Sequence, residues 1–212
     1  MQSMMFLRNR LHRLGRFLFG MLFGLRTSGE EVLTRTGSLM VVCNHISELD
    51  PSVLGSTIPR QTYFMAKREL FSRRLGEFYM PRIGAFPVNR EGVDTAALRT
   101  GLEVLGKGYV LVVFPEGTRS NDGQPLPVKP GVGLLAVRSG VPVLPAFVWG
   151  TDHPFRSIVR LGRFTVTYGE PMLPRVIAEL RSRGGIRLVA EEIMGSIRRI
   201  GLDNGYLAET QT

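Results

Sequence analysis

The sequence predicts an α/β fold, a mostly parallel central sheet flanked by helices and preceded by an N-terminal amphipathic helix. Three observations carry this. Short β-branched apolar runs such as Tyr109–Phe114 suit strands buried on both faces, as parallel sheets require. These runs alternate with stretches of helical periodicity, the pattern of crossover connections. At 212 residues the chain is long enough for one substantial core. The expected division is a basic amphipathic helix over 1–27 and a single folded domain over 28–212.

Residues 1–26 carry Arg8, Arg10, Arg13, Arg16 and Arg26 and no acid. Leu7, Leu11, Leu14, Leu18, Met21 and Leu25 recur as one helical stripe, with Arg13 and Arg16 opposite and Phe6, Phe17, Phe19 and Phe23 widening it. The uninterrupted apolar run Phe17–Leu25 is too short to span a bilayer, which needs about 20 residues. No small-x-small cleavage site follows it, so it does not read as a removed signal. A basic, aromatic-rich helix of this kind suits the interface of an anionic membrane. The same stripe would also serve a helix docked on the protein's own core or at a dimer contact.

From Val32 to Leu39 the pattern suggests a strand and turn leading into the first core strand, Leu39–Cys43. Pro51–Ile58 reads as a short helix closed by Pro59, and Gln61–Ala66 as a strand. A helix from Lys67 to Met80 is expected to stop at Pro81. Ile83–Val88 suggests a strand, Val93–Leu105 a helix, Pro130–Ser139 a helix and Val143–Trp149 a strand. Phe155–Tyr168 suggests a hairpin turning at Gly162, and Ile186, Val189, Ile193, Ile197 and Ile200 mark a last amphipathic helix.

The charge balance, 27 Lys+Arg against 18 Asp+Glu, points to an anionic partner: nucleic acid, acidic lipid or a phosphorylated substrate. No zinc knuckle, RNP-like aromatic strand or helix-turn-helix pattern accompanies it, so nucleic acid is not the expected partner. Cys43 is the single cysteine, which excludes an internal disulfide and a multi-cysteine metal site, and His12, His45 and His153 show no zinc-ligand spacing. Gly101–Gly108 nearly spells a P-loop but lacks its Ser/Thr and precedes a strand where it should follow one.

The stretch with the clearest chemistry is Val41–Pro51, V-V-C-N-H-I-S-E-L-D-P. His45 leaves the carboxyl end of a predicted strand, the edge at which open α/β sheets place ligands. On a continuous helix His45 and Asp50 would lie roughly 140° apart, out of reach. With a turn between them, the carboxylate can accept a bond from Nδ1–H, fix the tautomer and leave Nε2 free as a base. The plainer reading makes His45 a turn residue and Asp50 a helix N-cap before Pro51. Cys43 offers a rival, a thiol carrying an acyl group, against its reading as a small buried residue.

NHISELD (Asn44–Asp50) resembles the N-H-x-x-x-x-D motif of the glycerolipid and lysophospholipid acyltransferases, nearest to the 1-acylglycerol-3-phosphate (lysophosphatidic acid) acyltransferases. Three more blocks follow in that family's order: Gly84–Arg90 (G-A-F-P-V-N-R), Phe114–Ser120 (F-P-E-G-T-R-S) and Val141–Ala146 (V-P-V-L-P-A). Together they cover about Asn44 to Ala146. The resemblance implies acyl transfer from a thioester, acyl-CoA or acyl carrier protein, to the free hydroxyl of a lysophospholipid acceptor, making phosphatidic acid for phospholipid synthesis. It implies no cofactor and no metal, His45 and Asp50 as catalytic residues, and the two middle blocks on the phosphorylated acceptor. Residues 28–212 would then be the catalytic domain, peripheral or monotopic on the cytoplasmic face of a membrane.

The residues agree with that implication as far as they speak. Arg90 and Arg119 each follow a predicted strand, and the guanidinium fork grips phosphate in two bonds. Gly117 permits a close or left-handed backbone, so N–H groups nearby could join an anion site. Glu116 repels phosphate, and would orient an arginine or accept from a substrate hydroxyl; with Gly117, Thr118 and Arg119 it is assigned to the acceptor's phosphate and glycerol. Asn44, Lys67 and Lys129 are auxiliary candidates, the lysines for phosphate or the donor's nucleotide, with solvated surface as the alternative. Val141–Ala146 is either the acyl side of the site or an ordinary strand entry. Two other functions remain open: transfer to a different lysolipid, and a membrane-surface lipid-binding protein without turnover.

Overall fold

The computed structural model describes residues 2–72, 74–89, 94–158 and 162–207. Side chains of 2–11 lie outside the description, and with them the expectations for Phe6, Leu7, Arg8, Arg10 and Leu11. The strands are β1 (Arg26–Ser28), β2 (Leu39–Cys43), β3 (Thr62–Lys67), β4 (Ala85–Val88), β5 (Val110–Val113), β6 (Val143–Trp149) and β7 (Thr165–Tyr168). The helices are α1 (Gln2–Phe23), α2 (Asp50–Thr57), α3 (Arg74–Arg82), α4 (Thr95–Gly106), α5 (Pro130–Ser139), α6 (Pro154–Ile158) and α7 (Pro174–Asp203).

One sheet runs β1-β7-β6-β2-β5-β3-β4. From β6 to β4 every pairing is parallel; β7 pairs antiparallel with β6, and β1 parallel with β7. The β1–β7 pair therefore runs against the other five strands. Side-chain alternation explains the two cores. Leu39, Val41 and Cys43 of β2, with Val110 and Val112 of β5, pack on the α2 side, whereas Met40, Val42, Leu111 and Val113 pack on the side of α4, α5 and α7. Both faces being covered, β2, β5 and β6 read as continuous apolar runs.

Several elements differ from the sequence expectation. Glu30–Thr34 is a 3-10 turn, not a strand, entered through Gly29 at φ 71. Lys67 ends β3, Arg68–Leu70 is a 3-10 turn, and α3 runs through Pro81 to Arg82. The proline sits near the helix end and chain reversal follows at Gly84, φ 79. The expected hairpin over Phe155–Tyr168 is instead a helical turn, α6, and a single strand, β7, completed by β6. Upstream of the expected last helix, α7 begins at Pro174 and breaks at Gly184–Gly185. The break lies where α7 crosses α5: a Cβ on Gly133 would meet the Ile186 carbonyl at 2.3 Å.

Helix α1 divides its apolar residues between two faces. Phe19 and Phe23 pack into the core, Phe23 stacking on Phe164 with centroids 4.5 Å apart, and Arg16 bonds both Glu30 oxygens at 2.8 Å and Thr27 at 3.0 Å. Leu14, Phe17, Leu18, Met21 and Leu22 remain exposed, beside exposed Arg13. Thus Arg16 serves the fold, and the docked-helix reading holds for one face only. No helix among the described residues is long and apolar enough to cross a membrane.

Candidate active site

Because β2 to β6 are parallel along this part of the sheet, their carboxyl ends converge on one edge. There β2 delivers Asn44 and His45, β3 delivers Lys67, β5 delivers Phe114 and the loop to Ser120, and β6 delivers Gly150 and Thr151. The chain turns after His45, and Asp50 becomes the first residue of α2, with Pro51 behind it. Its carboxylate turns back on that loop. Asp50 Oδ2 lies 2.8 Å from His45 Nδ1 and accepts the Ile46 and Ser47 N–H groups, each at 2.8 Å. Asp50 Oδ1 accepts Thr151 Oγ1–H at 2.5 Å. The carboxylate is fully buried, so these bonds replace the water it has lost. With an acceptor at Nδ1, the imidazole carries its proton there and turns a lone pair outward at Nε2.

His45 is held by its backbone as firmly as by its ring. Its N–H donates to Glu116 Oε1 at 3.0 Å, its carbonyl accepts from Ser120 N–H at 2.8 Å, and its ring stacks on Phe114 with centroids 4.1 Å apart. One residue earlier, Asn44 donates to the Val148 carbonyl at 2.9 Å and accepts Val148 N–H at 2.7 Å. The amide thus continues the β2–β6 ladder with a side chain, where the main chain departs.

The geometry changes the expectation for Glu116 within the 116–119 block. Glu116 is only 1% exposed, and its oxygens accept the backbone N–H groups of His45 and, at 3.1 Å, of Leu126; among the described residues it pairs with no arginine, and its bonds brace the loop that carries His45. Burial raises its carboxyl to about 7 in spite of those two bonds. Gly117 takes the left-handed conformation, φ 71, and its own N–H donates to the Phe114 carbonyl at 3.1 Å, so any backbone donors to an anion here come from its neighbours. Thr118 and Arg119 stand exposed beyond it. Arg119 Nη1 lies 3.2 Å from Glu48 Oε1, the fourth residue of the NHISELD stretch after Asn44. Arg90 lies outside the described residues.

The auxiliary candidates separate. Asn44 is structural in the sense above. Lys129 is exposed, and a Cβ on Gly117 would come within 3.3 Å of its stem, so it sits on the same loop. Lys67 reaches Glu69 at 3.4 Å, and neighbouring Arg68 donates to Asn89 at 2.7 Å, tying the ends of β3 and β4. Cys43 is wholly buried among the α2-side core, its thiol pushed well up by burial, which leaves it no path to a substrate. Thr151, Phe114 and Glu48 were not read as site residues. Glu48, inside NHISELD, and Phe114, at the head of the F-P-E-G-T-R-S block, carried a sequence signal; Thr151 carried none.

The Acyltransferase family profile matches residues 24–149. The chain is 28% identical over 178 residues to the 1-acyl-sn-glycerol-3-phosphate acyltransferase of Bacillus subtilis (strain 168), covering 84% of this chain and 88% of that one. It is 29% identical over 174 residues to the enzyme of the same name from Streptococcus pneumoniae (strain ATCC BAA-255 / R6), covering 81% of this chain and 63% of the longer relative. The fold superposes with a TM-score of 0.75 on the crystal structure of the 1-acyl-sn-glycerophosphate (LPA) acyltransferase PlsC from Thermotoga maritima, at 28% identity over 98% of this chain and 84% of that one.

Proposed function

Since the chain belongs to the Acyltransferase family, we propose that it moves a fatty acyl group from a thioester to the free hydroxyl of 1-acyl-sn-glycerol-3-phosphate, giving phosphatidic acid and a thiol. The observation that carries the reading is the 2.8 Å contact between His45 Nδ1 and buried Asp50, set at the carboxyl edge of the sheet. His45 Nε2 takes the hydroxyl proton as the oxygen attacks the thioester carbonyl, and Asp50 stabilises the imidazolium that forms. Collapse of the tetrahedral intermediate expels a thiolate, whose conjugate acid, with a pKa of about 8.5, makes it a good leaving group; the imidazolium returns the proton to it. A second acidic group is therefore not needed for departure.

Arg119, with Arg90 from the preceding block, holds the acceptor phosphate, and Thr118 and Lys129 line the same rim. Phosphate binding far from the reacting hydroxyl is useful because it positions that hydroxyl against Nε2. Acyl-CoA or acyl carrier protein is the donor. The exposed apolar face of α1, with Arg13 beside it, rests in the interface of the cytoplasmic leaflet, where acceptor and product reside. The test is direct: purified protein, labelled 1-acyl-sn-glycerol-3-phosphate and either donor, scored for phosphatidic acid and for free thiol. A lysolipid panel without the phosphate monoester serves as comparison. Equal turnover across that panel would refute the acceptor assignment, and turnover by His45→Ala would refute the mechanism.

A further inference from the structure

Helix α6 has its polarity reversed relative to a surface turn. Ser157 points inward, 4% exposed, while Phe155 is 81% exposed and Ile158 stands out beside it, three residues on. Exposing a phenylalanine and an isoleucine on one short turn while burying the serine is costly unless something apolar covers the pair. The turn lies against α1, whose own uncovered residues include Phe17, 63% exposed, and Met21.

Strand direction places both on the catalytic edge. Trp149, the last residue of β6, pairs with Thr165, and Thr165 pairs with Arg26. Because β1 and β7 run against the other strands, the end of α1 and the start of β1 come to the edge that carries His45, not to the opposite one. Helix α6 begins three residues after Thr151, the residue bonded to Asp50. Between α1 and α6 opens a cleft of about 300 Å³ bordered by Gly20, Gly24, Arg26, Ser157 and Arg163. Arg26, Arg163 and Arg156 are exposed and make no side-chain ion pair among the described residues. An apolar pair flanked by unneutralised arginines matches acyl chains beneath anionic headgroups.

We propose that α6 is a second bilayer-docking element: Phe155 and Ile158 enter the acyl boundary of an anionic phospholipid surface beside the exposed face of α1, with Arg26 and Arg163 receiving lipid phosphates at the cleft between them. This rests on the reading that the protein works at a membrane and adds the element that orients the site. With α1 alone the protein could roll about that helix axis. A second contact on the catalytic edge fixes the roll and turns His45 toward the leaflet that holds the acceptor.

The full-length protein is to be floated with vesicles of equal phosphatidylglycerol and phosphatidylcholine. Phe155→Ser/Ile158→Ser should weaken binding at least about tenfold, with unchanged thermal unfolding and unchanged turnover of a dissolved short-chain acceptor. Arg26→Gln and Arg163→Gln should each cost about fivefold on these vesicles, and little on phosphatidylcholine alone. Phe17→Ser/Met21→Ser tests α1 separately. If that variant loses binding while the α6 and arginine variants float like wild type, the membrane reading stands and the present proposal falls. Failure of wild type to float would remove the membrane reading itself. Conversion of a lipid-free dimer to monomer by Phe155→Ser/Ile158→Ser would assign the face to a second copy and likewise overturn the proposal.

Discussion

Two sets of polar side chains share the carboxyl edge of the sheet and are held in opposite ways. The His45–Asp50 pair is buried, and Asp50 is fixed by two backbone N–H groups and a hydroxyl in addition to the imidazole. Arg119 and Glu48, by contrast, pair at 3.2 Å with the arginine half in solvent and the glutamate more so. Lys67 and Glu69 are similar at 3.4 Å. Exposed pairs of this kind are worth about 0–1 kcal/mol, so an incoming phosphate can displace the carboxylate at little cost. Under the proposed mechanism the base is set in place before substrate arrives, whereas the rim around Arg119 is held only by exposed pairs that a phosphate can replace.

That contrast can be broken most sharply at the base. His45→Ala should lower kcat by about 10³-fold or more, and Asp50→Asn should be comparably severe, because the imidazole loses the acceptor that fixes its tautomer. Single-turnover assays on protein with unchanged circular dichroism measure this, and near-normal rates would dissolve the distinction between the two regions. Next in size is Thr151→Val, which leaves Asp50 Oδ1 without its hydroxyl. A lost hydrogen bond to a buried charge predicts a fall of about 10- to 100-fold in kcat, with acceptor KM unchanged. If Thr151 only filled space, valine would preserve the rate.

The rim should respond differently. Arg119→Ala is expected to raise acceptor KM about tenfold and to lower kcat/KM accordingly, with Arg119→Lys recovering only part, since an ammonium cannot copy the two-pronged grip. Unchanged acceptor kinetics would move the phosphate elsewhere. Glu116 tests the boundary between the regions, being a buried group attached to the exposed loop. Its carboxyl has an ordinary value of 4.5 and is raised to about 7 by burial. The folded protein therefore binds the proton more tightly than the unfolded chain. Relative to Glu116→Gln, wild-type stability should fall as pH rises from about 4.5 to about 7 and then level off, by on the order of 1–3 kcal/mol. Urea unfolding of both proteins at pH 5 and pH 8 reads the difference directly; a constant gap would mean the carboxyl titrates normally. The smallest effect belongs to Glu48→Gln. Freed of its competitor, Arg119 should bind the acceptor with a KM lowered by at most about threefold, and a raised KM would show Glu48 aiding the phosphate.

What could be read from the sequence follows the same division between local and distant interactions. The apolar runs of β2, β5 and β6 were legible because burial on both faces leaves no polar residue to interrupt them. His45 and Asp50 were legible because both partners lie within one turn of chain. β1 was not: Arg26–Thr27–Ser28 has no apolar pattern and is a strand only because β7 supplies the ladder. Nor was the role of Glu116, whose bond to the His45 N–H spans 71 positions, or that of Thr151, 101 positions from Asp50. α6 escaped because five residues are fewer than two helical turns, too short for periodicity to show.

The amide of Asn44 and its partner Val148 are 104 residues apart in the chain, which has a consequence for the protein while it is being made. β2 leaves the ribosome early, with both of its edges open and all five residues apolar. β5 closes one edge only when Val110–Val113 has emerged, and the other waits for Val143–Trp149. Through that interval the future centre of the sheet is an uncovered edge strand, the form most open to pairing with a neighbouring chain. A ribosome stalled before Val143 would release a fragment that has His45 but not the strand against which Asn44 sets it. In this fold Asn44 gains its ladder partner and β2 loses its last open edge in the same step.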